Sequence, residues 1–179
     1  MPASAVARHR FTGFVFGCCL AFAAYGAEPA VPSSPAQTIR VLIPGKPTLT
    51  LDPSMLSALP HISTQAAAHD EKPSEWRGVA LRDILLRAGV SIDQPLRGKA
   101  LATFVRVTAT DHYQVVFGLA DLDPTLGNTP VMLADERDGK SLTTDGPFRL
   151  MVSSDKRPAR WVRNVTTIEV VDGSSADKP

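Results

Sequence analysis

Between Lys156 and Arg163 the chain places Lys156, Arg157, Arg160 and Arg163 around Trp161, with no acidic residue inside the window. An arginine presents a planar fork of N–H donors and a face for stacking, and an indole presents a wide π surface with one N–H. Arg160 and Trp161 therefore suit a flat, polar or anionic heteroaromatic ligand, held by its ring and by its oxygens. The same composition also suits a solvated basic loop whose tryptophan caps the core. Asp111-His112-Tyr113 is a second group with chemical potential. Asp111 and His112 could be read as an acid/base pair, but neighbours on a turn point in different directions, so a tight turn is the stronger reading. Tyr113 opens a strand, from which it reaches either a groove or the edge of the core. His61, His69, Asp70 and Glu71 could be read as metal ligands, but their spacing matches no closed cluster and the last three fall in a polar loop. No metal site is expected there.

These residues belong to a chain of 179 residues, 44% hydrophobic and 21% charged, which is ordinary for one globular domain with a real core. A net charge of +1 supplies no global field for nucleic acid or a membrane surface. The N-terminus reads as a secretory signal over residues 1–27. Arg8, His9 and Arg10 precede the uncharged apolar run Phe11 to Ala24, and small residues at Ala21, Ala23, Ala24, Gly26 and Ala27 offer a cleavage site between Ala23 and Ala27. The run falls short of the roughly 20 residues that a spanning helix needs. The expectation is a periplasmic, soluble domain with no direct membrane insertion after cleavage. Both cysteines, Cys18 and Cys19, lie inside this signal, so the mature chain would carry no disulfide and no thiolate. Lipid modification at Cys18 is the alternative maturation, with Phe16 a poor fit to it.

Residues 28–37, rich in proline and serine, read as a disordered tether, residues 38–172 as the folded domain and residues 173–179 as a disordered tail. Ile39, Val41 and Ile43, then Leu49 and Leu51, flank the turn Pro44-Gly45-Lys46-Pro47 and predict a hairpin. Asp52-Pro53 predicts a cap and first residue of a short helix ending before Pro60. His61 to Thr64 reads as a short strand and Gln65 to Ser74 as a loop. Leu81, Ile84, Leu85 and Ala88 share one face of a helix that Gly89 ends, with Trp76 placed just before it as a hydrophobic staple. Strands are expected at Leu101 to Ala109, Tyr113 to Phe117, Val131 to Ala134, Phe148 to Val152 and Val165 to Val171, with Asp121 to Asn128 a loop and Asp138-Gly139 a tight turn. Many short strands and few helices predict an α+β, mainly β, domain. No glycine-rich phosphate loop and no Gly-x-Ser-x-Gly elbow is present, which removes the usual support for nucleotide hydrolysis and serine esterase chemistry.

Three segments in order resemble the molybdopterin-binding domain of the sulfite oxidase superfamily. They are Trp76-Arg77-Gly78-Val79 through Leu85-Leu86-Arg87-Ala88-Gly89-Val90, then Ala109 to Phe117, then Leu133-Ala134-Asp135 with Asp138-Gly139 running on to Gly146-Pro147-Phe148-Arg149 and Arg160-Trp161-Val162. In that superfamily's enzymes a His-Gly-x-Pro-x-Arg segment and a later Lys-Trp pair contact the pterin and its phosphate. Their counterparts here are Asp145-Gly146-Pro147-Phe148-Arg149, one residue shorter and with aspartate for histidine, and Arg160-Trp161. An aspartate can accept hydrogen bonds from the amino and ring N–H groups of a pterin. Arg149 also suits a strand arginine paired to an acid. The enzymes' molybdenum-ligating cysteine lies upstream of the Trp-x-Gly-Val segment, where residues 62–75 offer Ser63, Thr64 and Ser74 but no sulfur.

The resemblance implies a single-domain, sulfite-oxidase-like pterin-binding fold, and it is the small exported branch, which binds simple pterins, that the chain is similar to. That branch implies a pterin as ligand, no molybdenum, no enzymatic activity, and a role in reporting periplasmic pterin to the periplasmic region of a membrane cyclase or phosphodiesterase that controls cyclic di-GMP. The motif match makes Arg160, Trp161, Arg149 and Asp145 ligand-binding candidates, and Arg157, Lys156, Tyr113, Asp111 and Trp76 join them as residues of the basic loop and candidate walls. Replacing Arg160 and Trp161 with Ala is then expected to remove binding and leave folding intact. The alternatives are a molybdopterin-dependent oxidoreductase or its subunit, with Thr64 or His69 as metal ligand, and a ligand-free protein interaction module.

Overall fold

In chain order the elements are β1 (Ile39–Leu42), β2 (Leu49–Leu51), α1 (Pro53–Ser57), β3 (His61–Ala66), β4 (Ser74–Ala80), α2 (Leu81–Arg87), β5 (Phe104–Ala109), β6 (Gln114–Gly118), β7 (Val131–Arg137), β8 (Lys140–Ser141), β9 (Arg149–Val152) and β10 (Val165–Val171). They come from a computed structural model that describes residues 38–67, 71–143 and 146–174. The expected signal and tether, His69, Asp70, Asp145 and most of the expected tail lie outside the described residues. All described residues fall in one unit, Ser34–Pro179.

The strands form two sheets. The first runs β2-β1-β10-β5-β6, with β1 and β10 parallel and the other neighbours antiparallel. The second runs β3-β4-β7-β8, and β9 also pairs with β7. Alternation places Val105, Val107 and Ala109 of β5 in the core while Phe104, Arg106 and Thr108 are half-buried. β9 is buried at every position, as the apolar run Leu150 to Val152 requires, and Arg149 is carried inward with it. Ile39, Val107, Trp76, Leu133, Leu150 and Leu81 of α2 join one hydrophobic cluster.

Local signals act as their chemistry dictates. Asp52 caps α1 by accepting a hydrogen bond from the Met55 N–H at 2.8 Å, with Pro53 as the first helical residue. Gly89 follows α2 at φ +87°, a left-handed stop that costs a glycine little. Asp138 and Gly139 both take positive φ at the β7–β8 turn.

Several boundaries differ from the sequence expectation. Gln65, Ala66 and Ser74 are strand rather than loop, because β3 and β4 pair without a break from His61↔Val79 to Ala66↔Ser74. β7 continues to Arg137, with β4 on one side and β8 and β9 on the other. Leu101 belongs to a short 3-10 helix, Gly98–Ala102, ahead of β5. Trp76 is not a staple before α2. It is an inward residue of β4, where Ser74, Trp76 and Gly78 are buried and Glu75 and Arg77 are exposed.

Gly78 fixes how closely β4 and β7 approach. Their register shifts between Arg77 and Gly78, and a Cβ on Gly78 would stand 2.1 Å from the Leu133 carbonyl oxygen and 2.5 Å from the Ala134 Cα. Only a residue without a side chain fits this bulge.

Candidate functional site

The turn between β5 and β6 and the approach to β10 face each other across a cavity of about 390 Å³. Thr110, Asp111 and Tyr113 line one wall, and Trp161, Arg163 and Asn164 line the other. The walls are tied by hydrogen bonds. The Thr110 N–H and hydroxyl both donate to the Asn164 carbonyl, at 3.1 and 3.0 Å, and the Tyr113 hydroxyl donates to the Ala159 carbonyl at 2.6 Å. Asp111 accepts from the Tyr113 N–H at 3.0 Å and His112 sits at φ 67°, so Asp111-His112-Tyr113 is a tight turn that aims the tyrosine at the cavity. Tyr113 is 48% exposed, leaving much of its surface open to a ligand. On the far side, Asn164 at φ 51° presses its Oδ1 against Gly146, where a Cβ would lie 2.1 Å away.

Behind the Trp161 wall lies a buried aromatic and cationic cluster. Trp161 is 7% exposed, and its indole N–H donates to the Val152 carbonyl at 2.9 Å. It meets Trp76 edge to face, with ring centroids 6.2 Å apart at an interplanar angle of 73°. The Arg149 guanidinium, buried with its strand, lies 5.1 Å from the Trp76 ring centroid and 5.7 Å from that of Trp161. Arg137 covers Trp76 at 4.8 Å. Trp161 thus offers the cavity a small part of its surface, and most of its contacts hold the core. The expectation that Trp161 could be removed without harm to folding is corrected by this burial.

The loop between β9 and β10 is held by its own charges. Arg160 donates from Nε and Nη2 to Asp155 at 2.8 and 2.5 Å, and its guanidinium lies 4.8 Å from the Phe117 ring centroid. The hydrogen bond from Asp155 raises the Arg160 pKa above the usual guanidinium range, with a smaller Coulombic contribution from Asp155 and Asp121 working against partial burial. A 3-10 turn, Pro158–Arg160, closes the loop through the Trp161 N–H to the Pro158 carbonyl. Lys156 and Arg157 are exposed.

Of the residues singled out in the sequence, Asp111, Tyr113 and Trp161 line the cavity. Trp76 and Arg149 lie buried behind Trp161, Arg160 turns onto Phe117, and Lys156 and Arg157 face solvent. Thr110, Arg163 and Asn164 were missed as wall residues. Arg163 belongs to the cationic run already noted, and the other two carry no sequence signal beyond their place at a turn. Asp155 was missed because it stands one residue outside that run.

His61 and Glu71, read above as poor metal ligands, are both engaged. His61 contacts Asp135 at 3.0 Å and Glu71 pairs with Arg137 at 2.7 Å. Thr64 borders a second cavity of about 150 Å³ with Met132 and Met151. Among the described residues no group of three or more His, Cys, Asp or Glu side chains could hold a metal ion.

Residues 54–178 match the family described as the oxidoreductase molybdopterin binding domain. A search of curated proteins finds no match. Among solved structures the chain is similar to the sulfane dehydrogenase SoxCD from Paracoccus pantotrophus, with a TM-score of 0.59 and 19% identity over 76% of this chain. That likeness bears out the mainly β, sulfite-oxidase-like fold read from the sequence. The chain spans 38% of the length of that relative.

Proposed function

The chain belongs to the oxidoreductase molybdopterin binding domain family, and from that membership we propose that it is a metal-free pterin-binding protein rather than an enzyme. It acts in the periplasm, and it reports pterin to the periplasmic region of a membrane protein controlling cyclic di-GMP. The observation that carries the pterin reading is the cavity of about 390 Å³ between Tyr113 and Trp161. Its volume lies within the range of small-molecule sites, about 300–1,000 Å³. Its walls combine an exposed phenol, an indole, a guanidinium from Arg163 and the carboxylate of Asp111. A pterin has a flat face for the rings and a polar edge for the charged groups.

The family's cofactor asks for more than a ring. Bound molybdopterin supplies redox chemistry through its metal, and in the enzymes that the sequence resembles a cysteine thiolate completes the metal's ligands. This chain's two cysteines are Cys18 and Cys19, so residues 20–179 offer no thiol. The ring portion fits the residues present, and the metal portion lacks its ligand. No step of metal chemistry is therefore assigned to this site.

The signalling part rests on the resemblance to the small exported branch and on the way the walls are joined. A ligand shifts an equilibrium only through different affinities for its two states. A pterin between Tyr113 and Trp161 touches the turn and the loop that the Tyr113–Ala159 hydrogen bond links, and Lys156 and Arg157 are exposed on that loop. They are the contact offered to the membrane partner.

Tyr113→Ala tests the site. Stacking of a heterocyclic base on an aromatic side chain is worth about 1–3 kcal/mol by alanine substitution. Pterin binding, followed by quenching of tryptophan fluorescence, should weaken by about tenfold or more. The melting temperature should fall by only a few degrees, since one hydrogen bond of about 1 kcal/mol is lost from an exposed residue. Unchanged affinity would remove the cavity from the account.

A further inference from the structure

We infer that Asp111 selects the ligand by its hydrogen-bonding edge: the carboxylate accepts from an exocyclic amino group and the ring N–H beside it, so the cavity favours an amino-pyrimidinone ring over the same ring without its amino group. The inference rests on the pterin reading for its first ligand. The edge it reads is shared by pterins and guanines.

The geometry behind it is a carboxylate fixed at one oxygen and open at the other. Asp111 is the one acidic side chain among the described residues that line the cavity. It stands at the tight turn between β5 and β6, where the Tyr113 N–H donates to its Oδ1 at 3.0 Å. That bond sets the direction of the side chain. Among the described residues nothing donates to Oδ2, and Asp111 is exposed. Tyr113, 48% exposed on the same wall, supplies the ring surface. One turn therefore presents a face contact and an edge contact to the same ligand.

An ionised carboxylate is an acceptor only, and each of its oxygens has two lone pairs, so Oδ1 can take a second N–H while Oδ2 takes the first of its own. Two adjacent N–H donors match that pair of oxygens, and hydrogen bonds to a charged acceptor are the strong ones. The facing wall carries Arg163, whose guanidinium is a donor only. A ring edge that suits both walls reads donor, donor, acceptor. In pterin and in guanine the order is amino, ring N–H, oxo. A site built to hydrogen-bond an N–H discriminates against the analogue that lacks it.

The test titrates the purified protein by calorimetry with pterin and 4-oxopteridine, and with guanosine and inosine; each pair differs by the amino group alone. The wild type should bind pterin at least about tenfold more tightly than 4-oxopteridine. In Asp111→Asn the amide oxygen still serves the Tyr113 N–H, so the turn and the fold should be kept. The amide N–H2 then replaces the open acceptor and faces the ligand's own donors. The preference should fall by about tenfold or more, through weaker binding of the amino-bearing ligand.

Equal binding of pterin and 4-oxopteridine by the wild type, or the same ratio in the variant, would overturn the inference and leave the pterin reading standing. If neither pteridine binds, but the wild type prefers guanosine to inosine and Asp111→Asn loses that preference, the pterin reading fails and the role of Asp111 stands. Binding of none of the four by the wild type overturns both. If Asp111→Asn does not fold, the wild-type ratios decide alone.

Discussion

Trp161→Ala will cost the fold about 3–5 kcal/mol, the range for removing a large buried aromatic. Trp161 looks in the sequence like a residue that could be spared, because it sits among Lys156, Arg157, Arg160 and Arg163 in a loop. In the structure it is 7% exposed and forms part of the core. Its removal would strip an edge-to-face partner from Trp76, leave the Val152 carbonyl without the indole N–H, and open a cavity beside the buried Arg149 guanidinium. The last effect also takes a cation–π face from that guanidinium. For a domain of this size the melting temperature should fall by roughly 10 °C or more. Arg160→Ala should lower it far less, since the pair it breaks is partly exposed. A drop of less than about 3 °C for Trp161→Ala would show that the ring is not the support this geometry makes it. Loss of ligand binding in that variant therefore cannot be read as loss of a contact.

Gly78→Ala should also be severe. β4 stands between β3 and β7, so it has paired neighbours on both edges and cannot move aside. The added methyl would stand 2.1 Å from the Leu133 carbonyl oxygen and 2.5 Å from the Ala134 Cα, and both are backbone atoms rather than the free end of a side chain. Relief requires β4 and β7 to separate at the bulge, which breaks ladder hydrogen bonds and unseats Trp76. Overpacking a core by one methyl usually costs about 1–3 kcal/mol, and a clash with fixed backbone lies at or beyond the upper end. The expected result is little soluble protein, or a urea midpoint lowered well below that of the wild type with an unchanged slope. A midpoint equal to that of the wild type would contradict the close approach of β4 and β7 at Gly78.

Much of this was legible in the sequence, and the failures share a cause. Alternation at Val105, Val107 and Ala109, the Asp52-Pro53 helix start and the Gly89 stop are local signals, and each produced the element it announced. Trp76 was misplaced because its segment runs directly into α2, and a helical pattern beginning at Leu81 drew it into the helix's entry. The alternation Ser74, Trp76, Gly78 was present, but what makes it a strand is pairing with β3 and β7, which lie elsewhere in the chain. Arg149 shows the same limit. A strand buried on both faces reads as a hydrophobic run, and the sequence does not tell that its one charged residue, Arg149, is carried into the interior. Within the site, the turn at Asp111-His112-Tyr113 could be read from residue type, whereas Asn164 as its partner across the cavity could not. The pairing of Arg160 with Asp155 is local, five residues apart, and escaped notice because a cationic run was taken to end where its cations end.

The central claim is that this member of a molybdopterin-binding family holds a pterin and no metal, and its content can be measured directly. The protein is purified from the cells that make it and denatured, and the released material is oxidised and assayed for pterin fluorescence, with molybdenum determined on the same sample by elemental analysis. Pterin approaching one equivalent per chain, with molybdenum far below it, is the result expected of a site with a ring-binding cavity and no thiol after Cys19. Molybdenum at one equivalent per chain would contradict it and make this domain a metal-bearing member of its family.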